Sequence, residues 1–201
     1  MDLFKTLSVR YKILLIPFVG AIGFCLYLAI SLIAMCNIVT HLDGAYRVEY
    51  QLLQTSEYSL VRLDKIKETL GNAATMGEEE LLDAANVYAQ ENREKLQKNI
   101  QLDKDNANYL RTLLSDFNEY YQVAFALSSE MVNGTADFST LGQRSQEMSD
   151  KLTRLQNKLN TFRTERYASF TDAFETVNEE AESTSSIGII VGVITLLAFF
   201  A

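Results

Sequence analysis

The 201-residue chain has little of several residue types on which whole fold classes depend. It holds one proline, Pro17, and nine glycines, too few for the tight turns that an all-β fold needs about every 8–12 residues. His41 is the only histidine, and Cys25 and Cys36 form no CxxC motif, so we expect no metal site and no disulfide framework. The net charge of −8 argues against a nucleic-acid partner, because phosphate binding needs a basic surface.

The common enzyme motifs are missing from the sequence as well. It contains no glycine-rich phosphate loop, no HExxH and no GxSxG. One histidine without a companion nucleophile also excludes the familiar catalytic triads. We therefore expect no catalytic residue and no cofactor, and we do not expect the chain to be an enzyme.

Two long blocks carry no charged side chain, and the first of them covers residues 13–36. Its 24 residues form a helix of about 36 Å, which crosses a hydrocarbon core of about 30 Å with some tilt. A cleaved signal peptide is the alternative, but its apolar region spans only about 7–15 residues, and no clear cleavage site closes this block. We interpret the block as an uncleaved transmembrane helix and the lipid bilayer as a partner.

The second apolar block, residues 187–201, reads IGIIVGVITLLAFFA. As a helix it reaches only about 22 Å, which is too short to cross a bilayer. We interpret it as the start of a second transmembrane helix in a truncated chain. Gly188 and Gly192 form one GxxxG pair, which would allow close approach of a second helix.

The charges around the first block predict its orientation. The leader, residues 1–12, contains Lys5, Arg10 and Lys12 against one acidic residue. By the positive-inside rule the N-terminus is cytoplasmic, and residues 37–186 emerge on the outer side. This segment has 25 acidic and 15 basic side chains, and therefore a net charge of −10.

Residues 37–186 predict an all-α domain of four helices, since they contain no proline and are rich in strong helix formers. We expect breaks at residues 71–77, with Thr75 as a cap, and at residues 103–106. A third break is expected at Asn133-Gly134, after which Asp137 or Ser139 would start the last helix. The expected lengths close an up-down-up-down four-helix bundle that stands on the membrane between the two spans.

Apolar residues at alternating spacings of three and four predict which face of each helix is buried. The clearest seam belongs to the third helix of the domain, and a second lies in the last helix and resumes after a jump of eight residues. Two weaker seams mark the first and second helices. The predicted seams are Leu53, Leu60, Leu63, Leu70 and Ala74; Leu82, Ala85, Ala89, Leu96 and Ile100; Leu110, Leu113, Phe117, Tyr120, Ala124, Leu127 and Met131; and Leu152, Leu155, Leu159, Phe162, Phe170, Phe174, Val177 and Ala181.

Four residues are candidates for ligand binding. Tyr120 and Tyr121 stand in a group of aromatics that would form one wall of a pocket between helices, with core packing as the alternative. Arg62 and Arg111 lie near apolar seams, where an inward guanidinium would bind a carboxylate bidentately. Exposed ion pairs are the alternative for both arginines, because acidic residues abound.

The chain resembles the amino-terminal sensory module of bacterial methyl-accepting chemotaxis proteins. The likeness is carried by the leader LSVRYK (7–12), the span opening ILLIPFVGAIGF (13–24), and the phrases AATMGEEELLDAAN (73–86) and FNEYYQVAFALSSEMVNGTADF (117–138). It implies a homodimer in the bacterial inner membrane whose periplasmic bundle responds to a small molecule or a binding protein. Such a module passes a shift through its second span to a cytoplasmic signalling region. Amino-acid-binding members place arginines on the first helix of the bundle, and Arg62 is the nearest counterpart.

Two other interpretations stay open at this point. Membrane histidine kinases and diguanylate cyclases carry similar front ends, so the same module could precede a catalytic domain. A structural bundle that binds no ligand is the third interpretation.

Overall fold

The computed structural model describes the backbone of residues 9–200 and the side chains of residues 17, 18 and 20–194. This part of the chain is entirely helical apart from short turns, which confirms the all-α class. Its helices are α1 (Val9–Gly44), a π-helical turn (Ala45–Glu49), α2 (Tyr50–Met76), α3 (Glu79–Leu102), α4 (Ala107–Val132) and α5 (Phe138–Phe200). The predicted leader, residues 1–12, and the predicted second span, residues 187–201, extend beyond the described residues, and the predicted segment boundaries stay predictions.

Contacts divide the chain into two compact units, which we describe separately. One unit is Tyr46–Phe170, and the other combines Met1–Ala45 with Thr171–Ala201.

The turns of the Tyr46–Phe170 unit confirm most of the predicted breaks. Gly77 ends α2 in the left-handed region at φ 72°, and its N–H donates to the Ala73 carbonyl over 2.9 Å. The Asp103 carboxylate accepts the N–H of Asp105 over 2.9 Å and so holds the turn before α4. Asp137 accepts the N–H of Ser139 over 2.9 Å at the start of α5.

Thr75 does not cap a helix, contrary to the prediction. Helix α2 continues to Met76, and the Thr75 hydroxyl donates to the Gly71 carbonyl over 2.8 Å within the same helix. The positive φ that ends the helix needs a glycine, and Gly77 supplies it without help from a side-chain cap.

A single hydrophobic core joins α2, α3, α4 and the part of α5 within this unit. The predicted α4 seam is buried from Leu110 to Leu127, although Met131 at its end is 37 % exposed. In α5 the seam from Leu152 to Phe162 is buried as predicted, whereas Phe174 and Ala181 are exposed. The prediction of a buried seam is therefore wrong at Phe174 and Ala181.

In helix α2 the predicted seam is confirmed at Leu63 and Leu70, which are buried in the core, and it differs from the observed seam at its two ends. Leu52 is fully buried and belongs to the core, whereas Leu53 is 9 % exposed and lies outside the core cluster. At the other end Ala73 is fully buried and Ala74 is half-buried. The observed seam alternates spacings of four and three: Leu52, Ser56, Ser59, Leu63, Ile66, Leu70 and Ala73.

Polar side chains fill core positions on both α2 and α3. Ser59 and Asn92 are at most 1 % exposed, and in the described structure the Ser59 Oγ and Asn92 Oδ1 atoms have no hydrogen-bond partner. Asn99 donates through Nδ2 to Thr55 Oγ1 over 2.8 Å, across the interface between the two helices. The α2–α3 seam is therefore polar at its centre, and its polar groups are only partly satisfied.

Pairs of contacting residues show the direction of each helix relative to its neighbour. Arg62 contacts Glu91, whereas Thr55, earlier in α2, contacts Asn99, later in α3. The same reversed order holds where α4 meets α5, through the pairs Tyr109–Lys158 and Glu119–Lys151. Helices α2 and α3 are thus antiparallel to each other, and so are α4 and the part of α5 that contacts it.

The other unit exposes an apolar helix. Among the described residues one helical run, Gly20–Met76, is long and apolar enough to cross a membrane, with an 18-residue window of mean hydropathy 2.3 of which nothing is buried. Length and composition alone set this criterion, which a signal sequence also meets. Cys25 and Cys36 are free and exposed. On α5, Gly188 packs against the Tyr27 ring, where an added Cβ would lie 2.7 Å from a ring carbon.

We predict that two buried hydroxyls of α2 have opposite effects when they are removed. Ser59→Ala should raise the free energy of unfolding by about 1 kcal/mol, because a buried polar group without a partner is lost. Thr55→Val should lower it by about 1 kcal/mol, because Asn99 Nδ2 loses one of its two acceptors and keeps only the Lys95 carbonyl. Urea unfolding of the full chain in detergent, followed by circular dichroism, measures both. Equal destabilisation by the two variants would contradict the unequal bonding of the two hydroxyls.

Candidate functional site

Two arginines of the Tyr46–Phe170 unit each lie over a pair of aromatic rings. The first, Arg62 on α2, has its guanidinium carbon 5.0 Å from the ring centroids of both Tyr58 and Tyr88. Its Nε donates to the Tyr58 hydroxyl over 2.9 Å, and Nη2 lies 2.7 Å from a carboxylate oxygen of Glu91 on α3. We call Tyr58, Arg62, Tyr88 and Glu91 the Arg62 cluster, in which the cation has an internal carboxylate partner.

The side chain of the second arginine, Arg93 on α3, extends toward α4. Its guanidinium carbon lies 5.0 Å from the Tyr121 centroid and 5.6 Å from the Phe117 centroid. Nε donates to Asn118 Oδ1 over 2.8 Å, and the Tyr121 hydroxyl donates to Asn86 Oδ1 over 2.7 Å. We call these five residues the Arg93 cluster.

The electrostatics of the Arg93 cluster differ from those of the Arg62 cluster. Among the described side chains no carboxylate lies within 4.0 Å of Arg93, whereas Arg62 has Glu91. Burial raises the pKa of Tyr121 to about 12, although the neighbouring Arg93 cation acts in the opposite direction. Tyr121 is therefore a neutral phenol at physiological pH, and its hydroxyl donates a hydrogen bond to Asn86.

The structure does not bring the four predicted ligand-binding residues together. Tyr121 belongs to the Arg93 cluster, and Arg62 belongs to the other cluster. Tyr120 is 1 % exposed in the core, where burial raises its pKa, so the packing alternative describes its environment. Arg111 is exposed and donates to Asn108 on its own helix over 2.8 Å.

Arg93 itself was missed by reasoning from the sequence. The aromatic group on α4 was recognised, and its rings do stack: the Phe117 and Tyr121 centroids are 6.1 Å apart, and those of Tyr121 and Phe125 are 5.7 Å apart. The sequence does not show which cation covers this stripe, because that depends on the pairing of α3 with α4.

A buried ion pair joins α5 to the π-helical turn. Arg166 Nη1 lies 3.2 Å from a Glu49 carboxylate oxygen, and both side chains are largely buried. Burial raises the pKa of Glu49 in spite of the neighbouring arginine. We assign this pair a structural role and not a ligand-binding one, since the Arg166 guanidinium already has a carboxylate partner.

The described side chains contain no cluster suited to a metal ion. His41 lies 3.8 Å from a Glu180 carboxylate oxygen, and among these side chains no group of three histidine, cysteine, aspartate or glutamate residues could hold a metal ion.

No protein-family model matches the chain, and neither a curated protein nor a solved structure is similar to it.

We predict that Arg62 stabilises the α2–α3 pair and that Arg111 contributes little. Arg62→Ala loses two ring contacts and a carboxylate, which should lower the melting temperature by about 2–4 °C, equivalent to about 1 kcal/mol. Arg111→Ala removes one exposed hydrogen bond within its own helix and should leave the melting temperature nearly unchanged. Thermal unfolding followed by circular dichroism compares the two. A larger loss in the Arg111 variant would contradict this assignment.

Proposed function

We propose that the chain is the sensory module of a transmembrane chemotaxis receptor and acts as a homodimer in the inner membrane of a bacterium. In this proposal residues 13–36 cross the membrane and residues 37–186 form an up-down-up-down four-helix bundle in the periplasm. Residues 187–201 begin the second span. The ligand is a small molecule or a binding protein.

One observation carries the proposal: a bare apolar helix precedes a helical unit that has its own core. The exposed side chains of α1 include large apolar residues, which in water would cost free energy and in lipid would not. The Tyr46–Phe170 unit, in contrast, has a buried apolar cluster drawn from α2, α3, α4 and α5, and most of its charged side chains lie outside that cluster. The large apolar residues of α1 that are exposed in the described part of the chain are Phe18, Ile22, Phe24, Leu26, Leu28, Ile30, Leu32, Ile33, Met35 and Val39.

Helix α5 supports a route for the signal. It is one uninterrupted helix that carries core residues from Leu152 to Phe162 and the apolar stretch after Ile187. The sequence Ser183–Ser186 is made of poor helix formers, yet it stays helical, and the Thr184 hydroxyl donates to the Glu180 carbonyl over 2.8 Å. We propose that a shift of the bundle travels along this helix toward the cytoplasm.

The site at which we place the sensed ligand is the Arg93 cluster. The Arg62 cluster is internally neutralised by Glu91, so its cation is already matched. Arg93 keeps unmatched donors at the surface between two helices of the bundle. This placement makes α3 and α4 the helices that a ligand would contact.

The first test concerns topology. Alkaline phosphatase fused after Asp105, in the turn between α3 and α4, should be active in bacterial cells, and green fluorescent protein at the same position should stay dark. The physical reason is the excess of basic residues before the first span, which retains the N-terminus in the cytoplasm. A fusion of each reporter to the N-terminus is the control and should give the opposite pattern. A fluorescent fusion after Asp105 with no phosphatase activity would contradict the proposal.

The second test concerns output. A hybrid that continues residues 1–201 into the cytoplasmic region of a chemotaxis receptor should change the swimming bias of the cells when a stabilising ligand is added. Similar front ends occur on histidine kinases and diguanylate cyclases, so matched hybrids with those output regions form the comparison. A response confined to a kinase or cyclase hybrid would replace the chemotaxis assignment. Silence in all hybrids would support a purely structural bundle.

A further inference from the structure

The two arginine clusters form a matched pair within one chain. Each guanidinium lies 5.0–5.6 Å from two ring centroids, and each Nε donates a hydrogen bond to a neighbour in the same cluster. They differ in one component. A Glu91 oxygen lies 2.7 Å from Arg62 Nη2, whereas no described carboxylate lies within 4.0 Å of Arg93.

The unmatched groups around Arg93 are all hydrogen-bond donors. A guanidinium has five N–H groups, and the structure gives Arg93 one acceptor, Asn118 Oδ1, at its Nε. The fork formed by Nη1 and Nη2 therefore has no acceptor among the described residues. Asn118 and Asn86 both use their Oδ1 atoms, for Arg93 and Tyr121 respectively, which leaves their Nδ2 groups to donate.

The described neighbouring residues do not supply an acceptor for the free donors of Arg93. The Tyr121 hydroxyl is committed to Asn86, and its pKa of about 12 keeps it protonated. Of the nearby acidic residues, Glu94 accepts from Gln90 over 3.0 Å and Glu119 accepts from Lys151 over 3.2 Å. Other described cations, such as Arg111 and Arg154, also lack a carboxylate within 4.0 Å, so the feature that sets Arg93 apart from them is the pair of rings over which its guanidinium lies.

We propose that the Arg93 cluster binds the carboxylate of a small organic acid. The two Nη atoms would donate to both carboxylate oxygens, which is the planar bidentate geometry that arginine and carboxylate share. The amide nitrogens of Asn86 and Asn118 would donate to the same group or to a neighbouring oxygen, and the rings of Phe117 and Tyr121 hold the guanidinium in place. The inference rests on the proposed function and names the ligand class of its site, on α3 and α4 and away from Arg62.

The test measures binding to the full chain in detergent micelles. Acetate, succinate and benzoate are the probes. Chloride and inorganic phosphate at equal ionic strength are the control anions that carry no carboxylate. At least one carboxylate should raise the melting temperature of the unaltered protein, because a ligand bound only to the folded state stabilises it, and above the dissociation constant the rise should follow the logarithm of the ligand concentration. Isothermal titration then gives the dissociation constant.

Arg93→Gln should weaken that binding about tenfold or more, as expected when charge-assisted hydrogen bonds are lost. Arg62→Gln is the matched control, since it alters an arginine over two rings whose carboxylate is internal, and its affinity should stay unchanged. Arg93→Lys keeps the charge but loses the two Nη donors. Its affinity for the carboxylate should fall between those of the unaltered protein and of the Arg93→Gln variant. Each variant is compared with its own ligand-free melting curve and helical content, so a change in stability is separated from a change in binding.

Three results would overturn the inference: no carboxylate binds, carboxylates bind equally well after Arg93→Gln, or phosphate alone binds. Binding of an acidic peptide without any small carboxylate would also overturn it in favour of a protein partner. The proposed function fails separately. If the reporter at Asp105 lies in the cytoplasm while Arg93-dependent binding persists, the carboxylate site is supported and the proposed receptor function is wrong. If the topology holds but the carboxylates fail, the receptor stands and its ligand belongs to another class.

Discussion

The register of α3 is the constraint on which the rest of the Tyr46–Phe170 unit depends. Asn92 lies in the core at 1 % exposure, and its two sequence neighbours therefore point to opposite sides of the helix. Glu91 faces α2 and meets Arg62, whereas Arg93 faces α4 and covers Tyr121. Turning α3 by one residue, about 100°, would remove both contacts. With Asn92 buried, Arg62 meets a carboxylate on one side of α3, whereas Arg93 lies on the other side with no described carboxylate within 4.0 Å.

Sequence reasoning succeeded where apolar residues alone mark the buried face. In α4 the heptad residues from Leu110 to Leu127 are all apolar, so their spacing predicts the buried face directly. In α2 the corresponding positions include Ser56 and Ser59, which a hydrophobic pattern assigns to solvent. The pattern then finds Leu63 and Leu70, which are in the core, but misses the seam by one residue at each end of the helix. Helix ends were easier, because Gly77 and Asp137 act through local backbone chemistry.

The candidate site divides along the same line. The aromatic stripe around Tyr121 is a property of one helix, and its spacing could be read from the sequence. The choice of Arg93 as its cation depends on contacts between residues 24–28 positions apart, which no local pattern encodes. Arg62 and Arg111 looked equivalent in sequence, since both lie beside apolar seams. Only the packing shows that Arg62 crosses to α3 and that Arg111 stays on its own helix.

A ligand can shift a conformational equilibrium only by the difference between its affinities for the two states. At the Arg93 cluster such a difference would arise from any change in the spacing of α3 and α4, because one guanidinium is held by Asn118 from the facing helix. The opposite side of α3 is joined to α2 by the ion pair of Arg62 with Glu91 and by the hydrogen bond from Asn99 to Thr55. A ligand at the Arg93 cluster that moved α3 would therefore also have to change these contacts with α2.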